Sequence, residues 1–387
     1  MQKKIIKRST STSQKSKPLG VLTHSESLFS EVQRETQALY PLNDVDLEDS
    51  KLAAPSGDSQ VSEDLEMLVF KSVPGIDSAS VKTRDDETSK RLKETLSRLK
   101  AAGGKRRFSR PASGWKATMQ SLVCNFPNFT EVLENVITPH LAMVAMGRPH
   151  RMPPILLVGP PGIGKTVFAR EIQAVMQAPM LVIDMASQTN ASALAGSSTF
   201  FSNSAPGRIF DCLAWGLKNQ LPCANPVIIL DEIDKISLDR YDPVAPLYTL
   251  LEESTARFFE DQAVPDVMID ASKIRFMLTA NDAAKIPQPI LSRVLRFDID
   301  ALDSSQQSKV FQRIFENVIQ ELDANIKIKL CDEIQKDATG LSPRVYKIRI
   351  QIALAKALAA GQSELNFETW RSTAPKEKYS KTRIGFY

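Results

Sequence analysis

The sequence is poor in cysteine and histidine, and neither residue type is spaced as a metal site. The four cysteines lie far apart without a Cys-X-X-Cys pair, and the three histidines add no metal-ligand spacing. No apolar run approaches the ~18 residues of a membrane helix, and the amino-terminal stretch lacks the apolar core of a secretory signal. These absences argue against a zinc domain and a membrane partner, and they favour a reduced, cytoplasmic setting.

Neither sign of charge is in large excess, although the charges are unevenly distributed along the chain. The formal net charge is +4 over 387 residues, which by itself indicates neither a nucleic acid nor a membrane partner. The first 25 residues carry basic charge among many Ser and Thr, whereas residues 44–66 are strongly acidic. We therefore expect residues 1–82 to form a disordered tail, with an organellar transit peptide as the alternative interpretation of its start.

A helix and a basic cluster are predicted after the tail. Residues 85–100 place three leucines on one stripe, which predicts an amphipathic helix that needs a partner surface, either in its own chain or on a neighbouring subunit. These leucines are Leu92, Leu96 and Leu99. Residues 105–110 are mostly basic and could bind nucleic acid, but without a regular fold they favour a solvated linker. We assign residues 83–118 to this helix and basic linker.

The most informative stretch is ILLVGPPGIGKTVFAR, residues 155–170, which reads as an apolar strand, a glycine-rich turn and the start of a helix. The GxxxxGKS/T spacing predicts a phosphate cradle, because backbone N–H groups of the turn and of the helix N-terminus converge on phosphate oxygens. Lys165 would reach the β- and γ-phosphates, and the Thr166 hydroxyl would ligate Mg²⁺. The predicted nucleotide-binding residues are Gly159, Pro160, Pro161, Gly162, Ile163, Gly164, Lys165, Thr166 and Val167.

Polar residues at the ends of two further apolar segments would complete such a site. Residues 226–230 predict a buried strand that leads to Asp231, which would hold the Mg²⁺ shell, and to Glu232, which would polarise the attacking water. A third strand, residues 274–279, leads to Asn281, whose amide would lie beside the water and the γ-phosphate unless Asn281 is a turn residue. Together with the cradle, these residues predict a nucleotide hydrolysis site.

The remaining sequence offers arginines and amphipathic helices. Arg293 and Arg296 lie near the edge of the α/β region and suit an arginine finger that acts across a subunit boundary. Residues 301–372 predict a small all-α lid, in which Arg344 opens a helix and could reach the γ-phosphate. The stripe predicted to be buried on that helix is Val345, Ile348, Ile352, Ala355 and Leu358. We expect residues 373–387 to form a flexible end, whose apolar terminus could be a docking tag.

Five segments in this order and spacing resemble an AAA+ ATPase module over about residues 126–370. They are GPPGIGKT, IILDEIDKI, LTAND, PILSRVLRF and GLSPRVYKIRI. The stretches TFFSNSAPGRI, DPVAPLYTLLEE and FFED are similar to the ATPase part of Lon-type proteases. The resemblance implies a P-loop NTPase domain of α/β class over residues 119–300, with a parallel sheet, followed by the all-α lid.

The same resemblance implies roles for individual residues. Asp231 and Glu232 match the Walker B pair, and Asn281 matches sensor 1. Arg293 matches the arginine finger, with Arg296 in reserve, and Arg344 matches the sensor 2 arginine. The family resemblance also implies ATP and Mg²⁺ as cofactors and a homo-oligomeric ring, usually a hexamer.

A loop rich in Gly, Ser, Asn and Pro, residues 197–208, carries two adjacent aromatic residues, Phe200 and Phe201. The resemblance places it at the pore loop, where an aromatic side chain grips an extended polypeptide in the channel of the ring. Ser202 stands where the family pattern has glycine, and packing of both phenylalanines into a core or an interface is the alternative. Residues 257–261 are a second pore-loop candidate, with burial as the alternative.

These features lead to one main functional hypothesis. We expect an ATP-hydrolysing ring motor that remodels or unfolds a protein client by pore-loop translocation. We expect no peptidase activity of its own, since the residues after Trp370 are too few for the serine-lysine domain of a Lon-type protease. The alternatives are a nucleic-acid-associated ATPase that uses the basic cluster, and a nucleotide-switched scaffold that recruits a separate nuclease or peptidase, for instance in bacterial defence.

Overall fold

The fold is organised around a five-stranded parallel sheet. The computed structural model describes residues 65–73, 86–236, 242–322 and 328–374. Its strands are β1 (Glu66–Leu68), β2 (Phe70–Ser72), β3 (Lys105–Arg107), β4 (Ile155–Val158), β5 (Met180–Asp184), β6 (Val227–Asp231), β7 (Phe259–Asp261), β8 (Val264–Ile269), β9 (Arg275–Ala280), β10 (Leu295–Asp298), β11 (Lys329–Leu330) and β12 (Glu364–Leu365). The central sheet has the order β10-β4-β9-β6-β5, and every neighbouring pair is parallel.

Helices cover this sheet and form the carboxy-terminal part of the fold. They are α1 (Asp86–Ala102), α2 (Trp115–Asn125), α3 (Thr130–Val132), α4 (Thr138–Ala145), α5 (Lys165–Met176), α6 (Ser192–Ala195), α7 (Arg208–Trp215), α8 (Leu247–Leu250), α9 (Glu253–Ala256), α10 (Gln288–Leu291), α11 (Ser304–Leu322), α12 (Asp332–Asp337), α13 (Pro343–Ala359) and α14 (Phe367–Arg371). A π-helical turn, Leu133–Ile137, joins α3 to α4.

Strand residues alternate between the two faces of the central sheet, as the pleat requires. In β4, Leu156 and Val158 belong to the apolar cluster that contains residues of α1 and α7, whereas Ile155 and Leu157 belong to the cluster that contains residues of α2 and α5. Both faces are therefore covered, which is typical of parallel sheets. The predicted α/β class, with a parallel sheet followed by a helical part, is confirmed.

The predicted disordered tail is wrong for residues 65–73. These residues form β1, which pairs antiparallel with β3, and β2, which pairs antiparallel with β8. Val69 and Phe70 are buried in the core, so this short segment has enough apolar contact to be ordered. The rest of the predicted tail lies outside the described residues, as do residues 375–387 of the predicted flexible end.

The predicted amphipathic helix is present as α1, and its partner surface is the chain's own α/β core. Leu92, Leu96 and Leu99 are buried in the cluster that also contains residues of α7. The solvated linker predicted after it is wrong where β3 forms. Arg106 is 4% exposed and donates hydrogen bonds to the carbonyl oxygens of Leu213 and Ala214. One cation of the basic cluster therefore stabilises the fold.

The carboxy-terminal helices form a separate apolar core. Phe311 of α11 stacks on Tyr346 of α13 with 4.0 Å between the ring centroids, and Trp370 of α14 packs beside them. The stripe predicted to be buried on α13 is wrong, because its five residues are exposed. They are Val345, Ile348, Ile352, Ala355 and Leu358. Helix α13 is apolar on two sides, so periodicity alone fits two stripes, and the stripe with the aromatic ring is the buried one.

None of the helices in the described residues is long and apolar enough to cross a membrane.

Candidate nucleotide-binding site

The glycine-rich turn between β4 and α5 has the backbone shape of a phosphate cradle. Gly162 and Gly164 have φ of 82° and 103°, a region that side chains with a Cβ rarely adopt. A Cβ on Gly159 would collide with the carbonyl oxygen of Ile299 and lie 2.8 Å from the Ile163 side chain. Helix α5 begins at Lys165, so its N-terminal N–H groups face the turn.

Lys165 is a nearly buried cation whose recorded hydrogen-bond partners are neutral oxygens. Its Nζ donates to the carbonyl oxygens of Gly159 at 2.7 Å and Pro160 at 3.0 Å, and to Oδ1 of Asn281 at 3.0 Å. Burial lowers the pKa of Lys165, and the nearby carboxylates of Asp234 and Asp231 oppose that change. Phosphate oxygens would give this ammonium group the charged acceptors that a buried cation requires, so the residues fit a nucleotide.

The two carboxylates predicted at the end of β6 lie at the same edge of the sheet. Thr166 Oγ1 donates to the Asp231 carboxylate, with oxygen distances of 3.0 and 3.2 Å. Glu232 is exposed and has a left-handed backbone with φ of 55°, which is rare for a residue other than glycine. Such a backbone conformation persists only where the surrounding structure holds it.

Thr279 holds that conformation, and the motif analysis missed its role. Thr279 is 1% exposed on β9; its hydroxyl donates to Asp231 and accepts the Glu232 N–H at 3.1 Å. Asp234 is a second missed residue, because its Oδ2 accepts the Asp282 N–H at 3.2 Å beside Asn281. The only sequence signal was their position, Thr279 two residues before Asn281 and Asp234 two residues after Glu232.

Magnesium would fit the oxygens at this edge. Over the part of the chain that is described, no group of three or more His, Cys, Asp or Glu side chains could hold a metal ion. Mg²⁺ prefers few protein ligands together with substrate phosphates and water, which matches the pair Thr166 and Asp231. When bound, Mg²⁺ would neutralise the charge that builds up on the β- and γ-phosphates.

A cavity of about 400 Å³ lies between these groups and the carboxy-terminal helices α11 and α13. Arg344 lies on its wall, at the start of α13, and a Cβ on Gly162 would lie 3.0 Å from Oγ of Ser342. Apolar lid residues such as Ile314 and Ile348 line the same space. The structure thus brings Lys165, Thr166, Asp231, Glu232, Asn281 and Arg344 to one cavity.

The two finger candidates, Arg293 and Arg296, lie elsewhere and are not among the residues that line this cavity. Arg293 lines a second cavity of about 630 Å³, and its guanidinium donates to the carbonyl oxygen of Pro289 at 2.7 Å. Arg296 is paired with Asp298 at 2.7 Å. The nucleotide cavity of one chain therefore does not contain either arginine.

The aromatic loop between α6 and α7, residues 197–206, presents its phenylalanines to solvent. Phe200 and Phe201 are 63% and 61% exposed, so packing into the core of this chain is excluded. In the second candidate segment, Phe258 is 59% exposed, whereas Phe259 is buried in β7. The segment is therefore divided between surface and core.

Comparisons with known proteins agree with this geometry. Residues 155–305 match the model of the ATPase family associated with various cellular activities (AAA). The peroxisomal Lon protease homolog 2 of Oryza sativa subsp. indica is 31% identical over 196 residues, which cover 50% of this chain and 21% of that protein. The Lon protease of Lachnoclostridium phytofermentans is 26% identical over 299 residues, which cover 69% of this chain and 36% of that protein.

Among solved structures, a mutant of RuvB from Thermotoga maritima matches with a TM-score of 0.46 and 17% identity, covering 64% of this chain and 68% of that chain. The chain spans about a fifth to a third of the length of the two Lon relatives. Residues 155–305 therefore form an AAA+ ATPase domain related to the ATPase region of Lon proteases.

Proposed function

We propose that this chain is a subunit of an ATP-hydrolysing ring, a hexamer, that remodels or unfolds a protein client by pulling on it with the aromatic loop. The observation that carries the proposal is the combination of a nucleotide site with two exposed phenylalanines on one loop of the same domain. The site provides a hydrolysis cycle, and the loop provides an apolar surface that few isolated loops display.

The positions of the side chains support a role for each of them in hydrolysis. Lys165 would bind the β- and γ-phosphates, and Asn281, which already shares a hydrogen bond with Lys165, would orient the attacking water. Glu232 would polarise that water, because Thr279 fixes its backbone beside Asp231. Arg344 would sense the γ-phosphate from the lid and couple nucleotide state to lid position.

A second subunit would complete the site. Transition-state charge on the γ-phosphoryl group calls for a further cation, and Arg293 does not line the nucleotide cavity of its own chain. Arg296 already pairs with Asp298, which leaves Arg293 as the better finger. A ring that brings Arg293 to the cavity of the next subunit meets this requirement, and it would be a cytoplasmic assembly without a membrane partner.

The client is proposed to be an extended polypeptide. Aromatic faces bind chain segments of many sequences through apolar and van der Waals contact, which suits a motor that does not select a sequence. Nucleic acid is less well supported, because Arg106 of the basic cluster is buried against carbonyl oxygens and Arg98 stacks on Trp215 at 3.9 Å.

A retention experiment tests this proposal. With ATP bound, Glu232→Gln should stop hydrolysis and hold fluorescent casein, an unfolded protein probe. Adding Phe200→Ala and Phe201→Ala should abolish retention while ATP binding persists, because the apolar contact is removed at the loop alone. The matched control is Leu221→Ala, which removes an apolar side chain that is 80% exposed elsewhere. Equal retention by the loop variant, or retention of single-stranded DNA in place of casein, would contradict the proposal.

A further inference from the structure

Hydrogen bonds and a close backbone contact hold the two ends of the aromatic loop together. The Ser197 N–H donates to the carbonyl oxygen of Ala205 at 3.1 Å, and Ser204 Oγ donates to that of Ser197 at 2.7 Å. Just outside these bonds, a Cβ on Gly207 would lie 2.5 Å from the Gly196 nitrogen. The two glycines therefore bring the ends of the loop into direct backbone contact.

A buried carboxylate lies on this closure. Asp261, at the end of β7, has no solvent exposure; its Oδ2 accepts the Gly207 N–H at 2.7 Å and its Oδ1 accepts the Ala263 N–H at 2.9 Å. A Cβ on Gly196 would collide with the same carboxylate. The Asp261 side chain thus bonds both to Gly207, the residue that follows the aromatic loop, and to the turn between β7 and β8.

A backbone hydrogen bond provides a second connection beside that of the Asp261 carboxylate. The Gln262 N–H, in the β7–β8 turn, donates to the carbonyl oxygen of Ala195 at 2.7 Å. Strand β8 also pairs with β2, and Phe258, immediately before β7, exposes a third aromatic ring in addition to those of Phe200 and Phe201. Asp261 and Gln262 therefore join the β7–β8 hairpin to the two residues Gly207 and Ala195 that flank the aromatic loop.

An ionised carboxylate is an expensive group to bury here. The recorded acceptor contacts of Asp261 are to backbone N–H groups, and burial raises its pKa to about 6, with Asp211 of α7 adding a smaller increase. An asparagine side chain would avoid that desolvation cost, but it has one acceptor oxygen where the carboxylate has two, so its NH₂ group would face one of the two N–H donors. The two hydrogen bonds therefore favour a role for Asp261 in joining Gly207 to the β7–β8 turn.

We propose that Asp261 is a positioning residue that fixes the base of the aromatic loop to the β7–β8 hairpin, so that displacement of the hairpin moves Phe200 and Phe201. The hydrogen bonds that Asp261 accepts do not depend on whether the aromatic loop binds a client. The consequence for a client rests on the proposed function above.

Hydrogen exchange tests the joint directly. Asp261→Asn keeps the shape but places an amide NH₂ against one of the two N–H donors, so peptides covering residues 196–207 and 261–264 should exchange about 10-fold faster or more. The matched control is Asp266→Asn on β8, an exposed aspartate with φ of 65°, which asparagine tolerates. The control should leave exchange unchanged, and both variants should keep basal ATPase activity, since neither residue lines the nucleotide cavity.

A measurement on the wild-type chain covers the case in which Asp261→Asn does not fold. The amides of Gly207 and Ala263 should open with one shared free energy, because both donate to one carboxylate. Exchange at Gly207 as fast as at the loop tip would overturn the proposal, and so would unchanged exchange in Asp261→Asn.

Casein retention then separates the two proposals. In the Glu232→Gln background, Asp261→Asn should lower retention as Phe200→Ala with Phe201→Ala does, and full retention despite faster exchange would overturn the transmission of movement. If the wild-type loop itself holds no casein, the proposed function fails, and the exchange result still decides whether Asp261 fixes the loop.

Discussion

The phosphate turn, residues 159–164, and the aromatic loop, residues 197–206, are built alike at their ends but differ in what they present. Glycines begin and end the phosphate turn and flank the aromatic loop, and a Cβ on Gly159 or on Gly207 would strike neighbouring backbone. The phosphate turn then faces a cavity and gathers polar atoms around a nearly buried lysine, whereas the aromatic loop leaves two rings in solvent. The contrast shows that a loop bounded by glycine can either gather polar atoms around a cavity or expose aromatic rings to solvent.

The largest effect that separates the two regions should come from Glu232→Gln. The amide cannot polarise the attacking water, so ATP hydrolysis should fall by about 10³-fold while ATP affinity is retained. Steady-state phosphate release and equilibrium binding of a fluorescent nucleotide measure the two quantities. Hydrogen exchange in the aromatic loop should stay unchanged in the absence of nucleotide. Turnover at the wild-type rate would remove Glu232 from the site.

The set of residues that meets at the first cavity was largely predictable, because binding of a phosphate would dictate their types and their spacing. Phosphate oxygens need backbone N–H groups and a lysine at a fixed spacing, so Lys165 and Thr166 are visible in the sequence before any fold is known. Thr279 was not predictable, since its role is to position other residues and any buried threonine on a strand looks the same. Only the fold shows that Arg293 does not line the cavity that contains Lys165 and Asp231 in the same chain.

The second effect concerns the carboxylate beneath the aromatic loop. Burial raises the pKa of Asp261 to about 6, above its unfolded value, so the folded chain holds this proton more tightly. Relative to Asp261→Asn, wild-type stability should therefore rise as pH falls from about 6 to about 4, and this gain should be lost as pH rises through 6. The gain is at most about 3 kcal/mol.

Denaturant unfolding of the two chains at matched pH measures this difference. Asp266→Asn, whose aspartate is exposed, should show no comparable change relative to wild type. A pH-independent difference between wild type and Asp261→Asn would mean that Asp261 ionises as freely as an exposed aspartate.

The third effect uses the same steric change in both regions. Gly159→Ala should weaken ATP binding by about 100-fold, because the turn must move away from the phosphates to avoid Ile299. Gly207→Ala meets backbone equally closely but should leave ATP affinity within about threefold, since its clash lies at the aromatic loop. Isothermal titration with ATP compares them. The control is Gly361→Ala, which meets nothing within 4 Å. Equal losses of affinity would erase the distinction between the regions.

Much of the fold followed from periodicity, and its failures have identifiable causes. Three of the five central strands, β4, β6 and β9, were predicted as apolar runs ending in polar residues, whereas β5 and β10 were not. Leu92, Leu96 and Leu99 marked α1 correctly. The buried side of α13 was misassigned because that helix is apolar on two sides, and only stacking against Phe311 selects Tyr346. Strand β1 was missed because its order depends on pairing with β3, a contact distant in sequence.

The smallest expected effect belongs to Thr279. Thr279→Val keeps the shape and removes the hydroxyl that joins Asp231 to the Glu232 backbone, so kcat should fall by about 10-fold with little change in KM. Thr279→Ser restores the hydroxyl and should recover most of the activity. Equal losses in both variants would assign Thr279 to packing alone.

The most direct test of the account mixes two inactive variants. Glu232→Gln chains keep Arg293, and Arg293→Ala chains keep Glu232, so neither should hydrolyse ATP well alone. If the cavity of one subunit is completed by Arg293 of the next, mixed assemblies contain complete sites, and ATPase activity should rise well above the sum of the separate rates. A mixture that stays at that sum, after confirmed subunit exchange, would contradict a site shared between subunits.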